Sequence, residues 1–294
     1  MNRNCSIVFL GEDAFSNVVL VSLLKAGYKI PAVITPLYNN NIHKKMEYTA
    51  LQNNIEYIRT KNINSDTIIG KIAEIKPDLL ITVHFEKLLG KALINIPSLG
   101  CLNLHPSILP FYRGMSPQHW PIINGEKKTG ITVHFIDEGI DTGNIVLQYE
   151  IVLNDTMYVH DLQMIWAKMY QTVMCEAIEM VINGEKGEKQ SLTDGSYYGK
   201  LKSEQCEISI VQGIKRAYNL IRGVSMPYHG AYIQTKDKMI IIWKAEIISN
   251  QPLGKTGEIM TENNKLYLPF YDGTLLINKY AIHENYSEIK ESKK

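Results

Sequence analysis

The sequence is sparing with cysteine, with tryptophan and with surplus charge of either sign. Its 294 residues include 4 cysteines and 3 tryptophans, and the formal net charge is +1. Cys5, Cys101, Cys175 and Cys206 form no C-x-x-C pair and keep no zinc-ligand spacing with histidine. That excludes a redox dithiol and gives no reason to expect a metal. Balanced charge argues against a dedicated nucleic-acid binder, which would carry a basic excess or stripe. No apolar run approaches the roughly 20 residues of a membrane span. The N-terminal MNRNCSIVFLG is too short in apolar residues for a signal peptide, so the chain reads as cytoplasmic. The turn GEDAFSN (11–17) is neither G-x-G-x-x-G nor a Walker loop, which speaks against dinucleotide or P-loop binding.

What is present is a strand–helix alternation. CSIVFLG (5–11), KIPAVIT (29–35), the end of DTIIGKIAEIKPDLLITVHF (66–85) and GCLNLH (100–105) read as four buried strands. Helical patterns fall between them, starting with AFSNVVLVSLLKAGY (14–28). This rhythm predicts an α/β fold, a doubly wound, mostly parallel Rossmann-like sheet. GITVHFID (130–137) and NIVLQYEI (144–151) add two strands, and 156–183 reads as one long amphipathic helix. The polar, Gly-rich stretch from 184 to 200 has linker composition. Residues 207–223 read as one further helix, and short alternating strands then suggest a small OB-like β-barrel or sandwich. The expected division is a catalytic domain at 1–188, a linker at 189–206 and a small β-rich domain at 207–294.

Two stretches carry chemistry. In CLNLHPSILPFYRG (101–114), Asn103 and His105 share one face at the carboxyl end of a buried strand, where α/β sheets place ligands. In HFIDEGIDTGNIVLQ (134–148), Asp141 sits in a Gly-flanked loop between strands. Alone, each has an ordinary structural reading: a hydrogen-bonded strand end, or an Asx turn. His84 and His134, inside apolar strands, read as satisfied core histidines. Together, an amide, an imidazole and a carboxylate suit acyl transfer to an amine. The amide N–H₂ can donate to an oxyanion, the imidazole can take a proton, and the carboxylate can support the imidazolium. No G-x-S-x-G nucleophile is present, so direct transfer is preferred over an acyl-enzyme.

NLHPSILPFYRG closely resembles the signature of N10-formyltetrahydrofolate-dependent transformylases, and HFIDEGIDTGNIVLQ resembles its paired motif. The resemblance implies Asn103, His105 and Asp141 as the catalytic residues and N10-formyltetrahydrofolate as formyl donor, with no metal. It implies that the pterin packs, mainly through backbone groups, against Phe85, Glu86, Lys87, Leu88 and Leu89 and against Glu138, Gly139 and Ile140. Ser107, Arg113 and Gly114 are the candidates for acceptor contacts. IKRAYNLIRGVSMPYHGAY (214–232) resembles the entry to the small barrel of methionyl-tRNA formyltransferases and of the formyltransferase that acts on UDP-4-amino-4-deoxy-L-arabinose.

The family divides by acceptor. The single-domain glycinamide ribonucleotide branch wants a Gly/Ser/Asn phosphate loop where this chain has GEDAFSN. The tRNA branch carries a Gly- and Lys/Arg-rich insertion where LYNNNIHKKMEY (37–48) offers only Lys44 and Lys45. A hydrolytic relative would use water as acceptor. A small-molecule nucleotide-linked amino sugar is therefore the expected acceptor, as in lipopolysaccharide or O-antigen biosynthesis, with tRNA the runner-up. Arg113 could meet the diphosphate, while Tyr197, Tyr198 and Tyr228 could stack on a base or simply pack. A homodimer through the C-terminal region is a further expectation from the sugar-modifying relatives.

Overall fold

The structure is a computed structural model that describes residues 3–38, 41–191, 193–235 and 238–284. The chain divides into two compact units, Met1–Gly114 with Gly130–Ile151 and Ile165–Tyr197, and Met115–Thr129 with Val152–Met164 and Tyr198–Lys294.

The first unit is built on β1 (Arg3–Gly11), α1 (Ala14–Lys25), β2 (Tyr28–Pro36), α2 (Lys44–Gln52), β3 (Glu56–Thr60), α3 (Asp66–Ile75), β4 (Leu79–Val83), α4 (Lys91–Ile94) and β5 (Cys101–His105). β6 (Arg113–Gly114), α5 (Trp120–Asn124), β7 (Lys128–Phe135) and β8 (Ile145–Val152) follow along the chain. The seven-stranded sheet runs β3-β2-β1-β4-β5-β7-β8. β1 to β5 are mutually parallel where they pair, and β7 turns antiparallel against β5. Strands buried on both faces need continuous apolar runs, which IVFL and LLIT supply. Val8, Leu10, Ala32, Ile34 and Leu80 pack with Ile68, Ile72 and Leu93 in one core cluster. Ile7 and Phe9 alternate to the opposite face and are equally buried.

Two features of this part of the chain differ from the sequence-based expectation. β3 is an additional edge strand, EYIRT, half-buried and without a clear apolar alternation. The long helix expected at 156–183 is two helices, α6 (Val159–Met169) and α7 (Val173–Ile182). Between them the backbone tightens to i→i−3 bonds, Gln171 N–H to Lys168 and Thr172 N–H to Met169. The break turns Tyr170 into the interior, where it is fully buried.

After β9 (Tyr197–Tyr198), the second unit holds α8 (Ile214–Gly223) and β10 (Ala231–Gln234), β11 (Lys238–Ser249), β12 (Met260–Glu262), β13 (Lys265–Phe270) and β14 (Gly273–Glu284). These strands form one antiparallel sheet in the order β10-β11-β14-β13-β12. The helix expected at 207–223 forms only from Ile214. Ile208 N–H instead bonds the Tyr232 carbonyl, and Gly213 at φ +81° cannot be an α-helical residue. The chain beyond Glu284 lies outside the described residues.

Candidate active site

The catalytic candidates meet at the carboxyl end of β5. The β5–β7 register sets Asn103 opposite His134 and His105 opposite Thr132. Thr82 on β4 donates to Asn103 Oδ1 at 2.7 Å, which fixes the amide so that Nδ2 faces the site. Asn103 Nδ2 then lies 3.1 Å from His134 Nε2 and 3.4 Å from Asp141 Oδ1. His134 Nδ1–H donates to the Phe135 carbonyl at 2.7 Å, leaving Nε2 as the acceptor for the amide.

His105 is 4% exposed. Its Nε2–H donates to the Tyr112 carbonyl at 2.8 Å, and its Nδ1 stands 3.6 Å from Asp141 Oδ2. A proton gained by this imidazole therefore arrives at Nδ1, facing the carboxylate. Burial pushes the His105 pKa down, against the opposing pull of Asp141 and the Tyr112 hydrogen bond, so the ring is neutral and basic near pH 7. Burial alone would raise the Asp141 carboxyl. The His105 and His134 imidazoles and the Gly114 N–H outweigh it and hold Asp141 well below the usual carboxylate range.

The Asp141 loop is held from several sides. Asp141 sits at φ +52°, a conformation that aspartate tolerates better than most residues. Gly114 N–H donates to Asp141 Oδ2 at 2.8 Å. The Asp141 carbonyl accepts from Gln190 Nε2 at 2.9 Å and from Arg113 Nε at 3.2 Å. Gln190 Oε1 in turn accepts from Arg113 Nη2 at 2.8 Å. Asp137 closes the loop by accepting from Gly139 N–H at 3.0 Å and Thr142 Oγ1 at 2.6 Å. Gly143 has no room for a side chain, because a Cβ would collide with the Phe135 carbonyl.

The three residues expected at the acceptor serve this scaffold. Arg113 is 1% exposed, and its guanidinium donates to Gln190, to Asp141 O and to the Ser191 carbonyl. Its Nε and Nη2 are taken up by these partners within the protein. Ser107 is fully buried and its hydroxyl closes a turn on the Phe111 carbonyl at 2.8 Å. Gly114 directs its N–H to Asp141. Tyr197 lies with its ring 5.3 Å from the Arg113 guanidinium. In the second unit the Trp120 ring stands against Tyr198 and the His119 ring against Tyr228.

The two segments expected at the pterin are linked by an ion pair, Lys91 Nζ to Glu138 Oε1 at 2.7 Å. Phe85 and Leu89 pack against the core cluster, whereas Glu86 and Lys87 are exposed. Leu88 and Ile140 stand 68% and 47% exposed, and Gly139 lies between Glu138 and Ile140. Such apolar surface, raised on loops at a sheet end, suits a flat heteroaromatic ring.

Sequence reasoning missed a buried polar group beside this segment. The β1–α1 turn grips residues 83–86 at three points. Ser16 Oγ donates to the Val83 carbonyl at 2.7 Å, and His84 Nδ1–H donates to Asp13 Oδ2 at 2.9 Å. Glu86 N–H donates to Glu12 Oε1 at 2.5 Å. His84 Nε2 lies 3.0 Å from the Tyr170 hydroxyl. Burial opposes charge on His84, but Asp13 outweighs it and raises the His84 pKa, while Asp13 is lowered to about 2 despite its own burial. Burial pushes Glu12 up to about 7. His134 is a satisfied buried histidine, as its place in an apolar strand suggests, and one of its partners is the Asn103 amide. Its one sequence signal is the alternation of Thr132 and His134 with apolar Ile131, Val133 and Phe135.

An amide, a buried neutral imidazole and a carboxylate together at the end of an α/β sheet are groups able to support group transfer. The formyl transferase profile matches residues 19–178, and the formyl transferase C-terminal domain profile matches 200–287. The chain belongs to the formyl transferase family and is a formyltransferase. It is 35% identical to the methionyl-tRNA formyltransferase of Clostridium acetobutylicum over 282 residues, 93% of this chain and 90% of that one. It is 33% identical to the bifunctional polymyxin resistance protein ArnA of Wigglesworthia glossinidia brevipalpis, over 82% of this chain and 38% of that protein. Its fold matches the crystal structure of WlaRD, a sugar 3N-formyl transferase in the presence of dTDP and 5-N-formyl-THF, with a TM-score of 0.69 at 23% identity, covering 95% and 98% of the two chains. Among the described residues no cluster of His, Cys, Asp or Glu is placed to hold a metal ion, and no helix is long and apolar enough to cross a membrane.

Proposed function

We propose that this protein transfers a formyl group from N10-formyltetrahydrofolate to the primary amine of a nucleotide-linked amino sugar, in the cytoplasm. The convergence of Asn103 Nδ2, His105 Nδ1 and Asp141 Oδ2 at one sheet end carries the reading of the chemistry. Asn103 donates to the carbonyl oxygen of the formyl group as negative charge develops there. His105 accepts the amine proton at Nδ1, since Nε2–H is committed to Tyr112. Asp141 stabilises the imidazolium across 3.6 Å, and His105 then returns the proton to N10 as the C–N10 bond breaks. One amide bond forms, one breaks and one proton moves between them.

The sugar acceptor rests on the balanced charge, the glycine-free LYNNNIHKKMEY stretch and the likeness of the fold to sugar formyltransferases. A tRNA acceptor is favoured by a different observation, the 35% identity to a methionyl-tRNA formyltransferase across nearly the whole chain. The deciding assay supplies N10-formyltetrahydrofolate with UDP-, dTDP- or GDP-linked amino sugars, or with methionyl-tRNA, and follows tetrahydrofolate release. The proposal expects release that depends on an amino-sugar nucleotide. Formylation of methionyl-tRNA alone would refute it, and release without any amine would indicate hydrolysis.

A further inference from the structure

At the carboxyl ends of β2 and β3, still within the first unit, lies a cleft of about 400 Å³ lined by Pro36, Leu37, Tyr38, Thr60, Lys61 and Lys87. Its chemistry is aromatic and cationic. Lys87 Nζ lies 5.3 Å from the centre of the Tyr38 ring. Behind the lining, Arg59 Nη2 donates to the Tyr38 carbonyl at 2.8 Å, and Arg59 Nε is buried without a partner among the described residues. Neither Lys61 nor Lys87 is in an ion pair with a carboxylate of the described residues. Two acids act on the Tyr38 side, the exposed Glu86 and Glu12, whose Oε1 receives the Glu86 N–H and lies 3.4 Å from the Tyr38 hydroxyl. Burial pushes Glu12 up to about 7, so near neutral pH it carries only part of a negative charge. Unpaired cations beside a flat ring are a surface for a phosphorylated, ring-bearing ligand.

Resting on the sugar-nucleotide reading above, we infer that this cleft holds the nucleoside diphosphate half of the acceptor. Lys61 and Lys87 meet the phosphates, and the Tyr38 ring packs against the ribose or base. The spacing agrees. In the strand order β2-β1-β4-β5, three spacings of about 4.8 Å put the cleft roughly 14 Å along the sheet from β5. An amine held at His105 carries its diphosphate a sugar ring away, and its base further still. The cleft lies at the same sheet end as the catalytic centre, as expected for one ligand spanning an α/β crevice. Arg113, the cation expected from sequence, is enclosed by Gln190, Ser191 and Asp141 and leaves this role open.

The test measures binding of UDP, dTDP and GDP, of 5-formyltetrahydrofolate and of deacylated tRNA by calorimetry, on the wild type, Lys61→Glu and Tyr38→Leu. Losing one charge-assisted phosphate contact costs about tenfold in affinity. Both variants should bind the preferred nucleoside diphosphate at least about tenfold more weakly, with 5-formyltetrahydrofolate affinity and melting temperature close to wild type. Lys61 is exposed, so its variant folds even if Tyr38→Leu does not. Wild-type nucleotide affinity in Lys61→Glu would overturn the inference while leaving the sugar acceptor standing. Equal loss of 5-formyltetrahydrofolate would also overturn it, by assigning the cleft to the folate carboxylates. A wild-type protein that binds tRNA but no nucleoside diphosphate would remove both the inference and the reading beneath it.

Discussion

The backbone N–H of Gly114 donates to Asp141 Oδ2 at 2.8 Å, so the last residue of the first motif holds the carboxylate of the second. The two motifs are one structure folded from two places in the chain. Arg113 reinforces it from the neighbouring position by binding the Asp141 carbonyl. The Arg-Gly pair expected at the acceptor bonds the aspartate that faces His105.

In the proposed mechanism His105 accepts the amine proton. His105→Ala should lower single-turnover formyl transfer by about 10²–10⁴-fold, with 5-formyltetrahydrofolate binding little changed. The wild-type rate should fall on the acid side only below the ordinary histidine range, because burial lowers the His105 pKa and the neutral ring is the active form. Asp141→Asn removes an interaction that raises the pKa, so its acid limb should move to still lower pH while the maximal rate drops. A limb that moved upward would contradict the assigned pairing.

Gln190 should behave as a positioning residue. Its side-chain N–H₂ bonds the carbonyls of Asp141 and Gly143, and its Oε1 holds Arg113. Gln190→Ala leaves buried partners unsatisfied, at a cost of about 1–3 kcal/mol of stability. It should reduce kcat about tenfold or more through a displaced Asp141. Gln190→Glu keeps the acceptor for Arg113 and should restore part of the thermal stability but little of the rate, since it cannot donate to both carbonyls. Thermal melts read beside kcat and KM separate the two effects.

Much of this was legible before any coordinates. The parallel sheet follows from apolar runs broken by helical patterns, and Asn103, His105 and Asp141 follow from strand alternation plus the matched motifs. The remainder depends on contacts between distant residues. His134 gains its meaning from standing opposite Asn103, and register is not written in either strand. Gln190 lies 49 residues from Asp141 in a stretch whose composition reads as linker. β3 escaped because an edge strand with one protected face needs little apolar sequence. The helix break at Tyr170 reflects a tertiary demand, the burial of its ring and hydroxyl beside His84, which helical periodicity does not show.

Asp13 and His84 should give stability a pH window. Asp13 has a pKa lowered to about 2, so its contribution is present above the unfolded value of about 3.9 and is lost as pH falls through 4 towards 2. His84 is raised, so its contribution is full below the unfolded value of about 6.5 and is lost as pH climbs through the raised value. The same pair is seen from both sides, and its effect should be greatest between about pH 4 and 6.5. Asp13→Asn should destabilise the protein most within that window, by on the order of 1–2 kcal/mol, with the difference shrinking on either side. Denaturant melts at pH 3, 5 and 9 would measure it, and a pH-independent difference would argue that Asp13 acts only as the N-cap of α1, where its Oδ1 accepts from Ser16 N–H at 2.9 Å.

Leu88 and Ile140 provide the last discriminating prediction, because they test the donor site without touching the proton-transfer residues. Both are large, apolar and exposed on the two loops joined by Lys91 and Glu138. Covering such a side chain with a flat ring is worth roughly 1–2 kcal/mol. Leu88→Ser and Ile140→Ser should each weaken 5-formyltetrahydrofolate binding by about fivefold to thirtyfold, with the KM for donor rising and kcat nearly unchanged. Exposed positions tolerate serine, so melting temperatures should stay near wild type. Unchanged donor affinity in both variants would place the pterin elsewhere and detach these loops from the donor, while leaving the Asn103, His105 and Asp141 assignment intact.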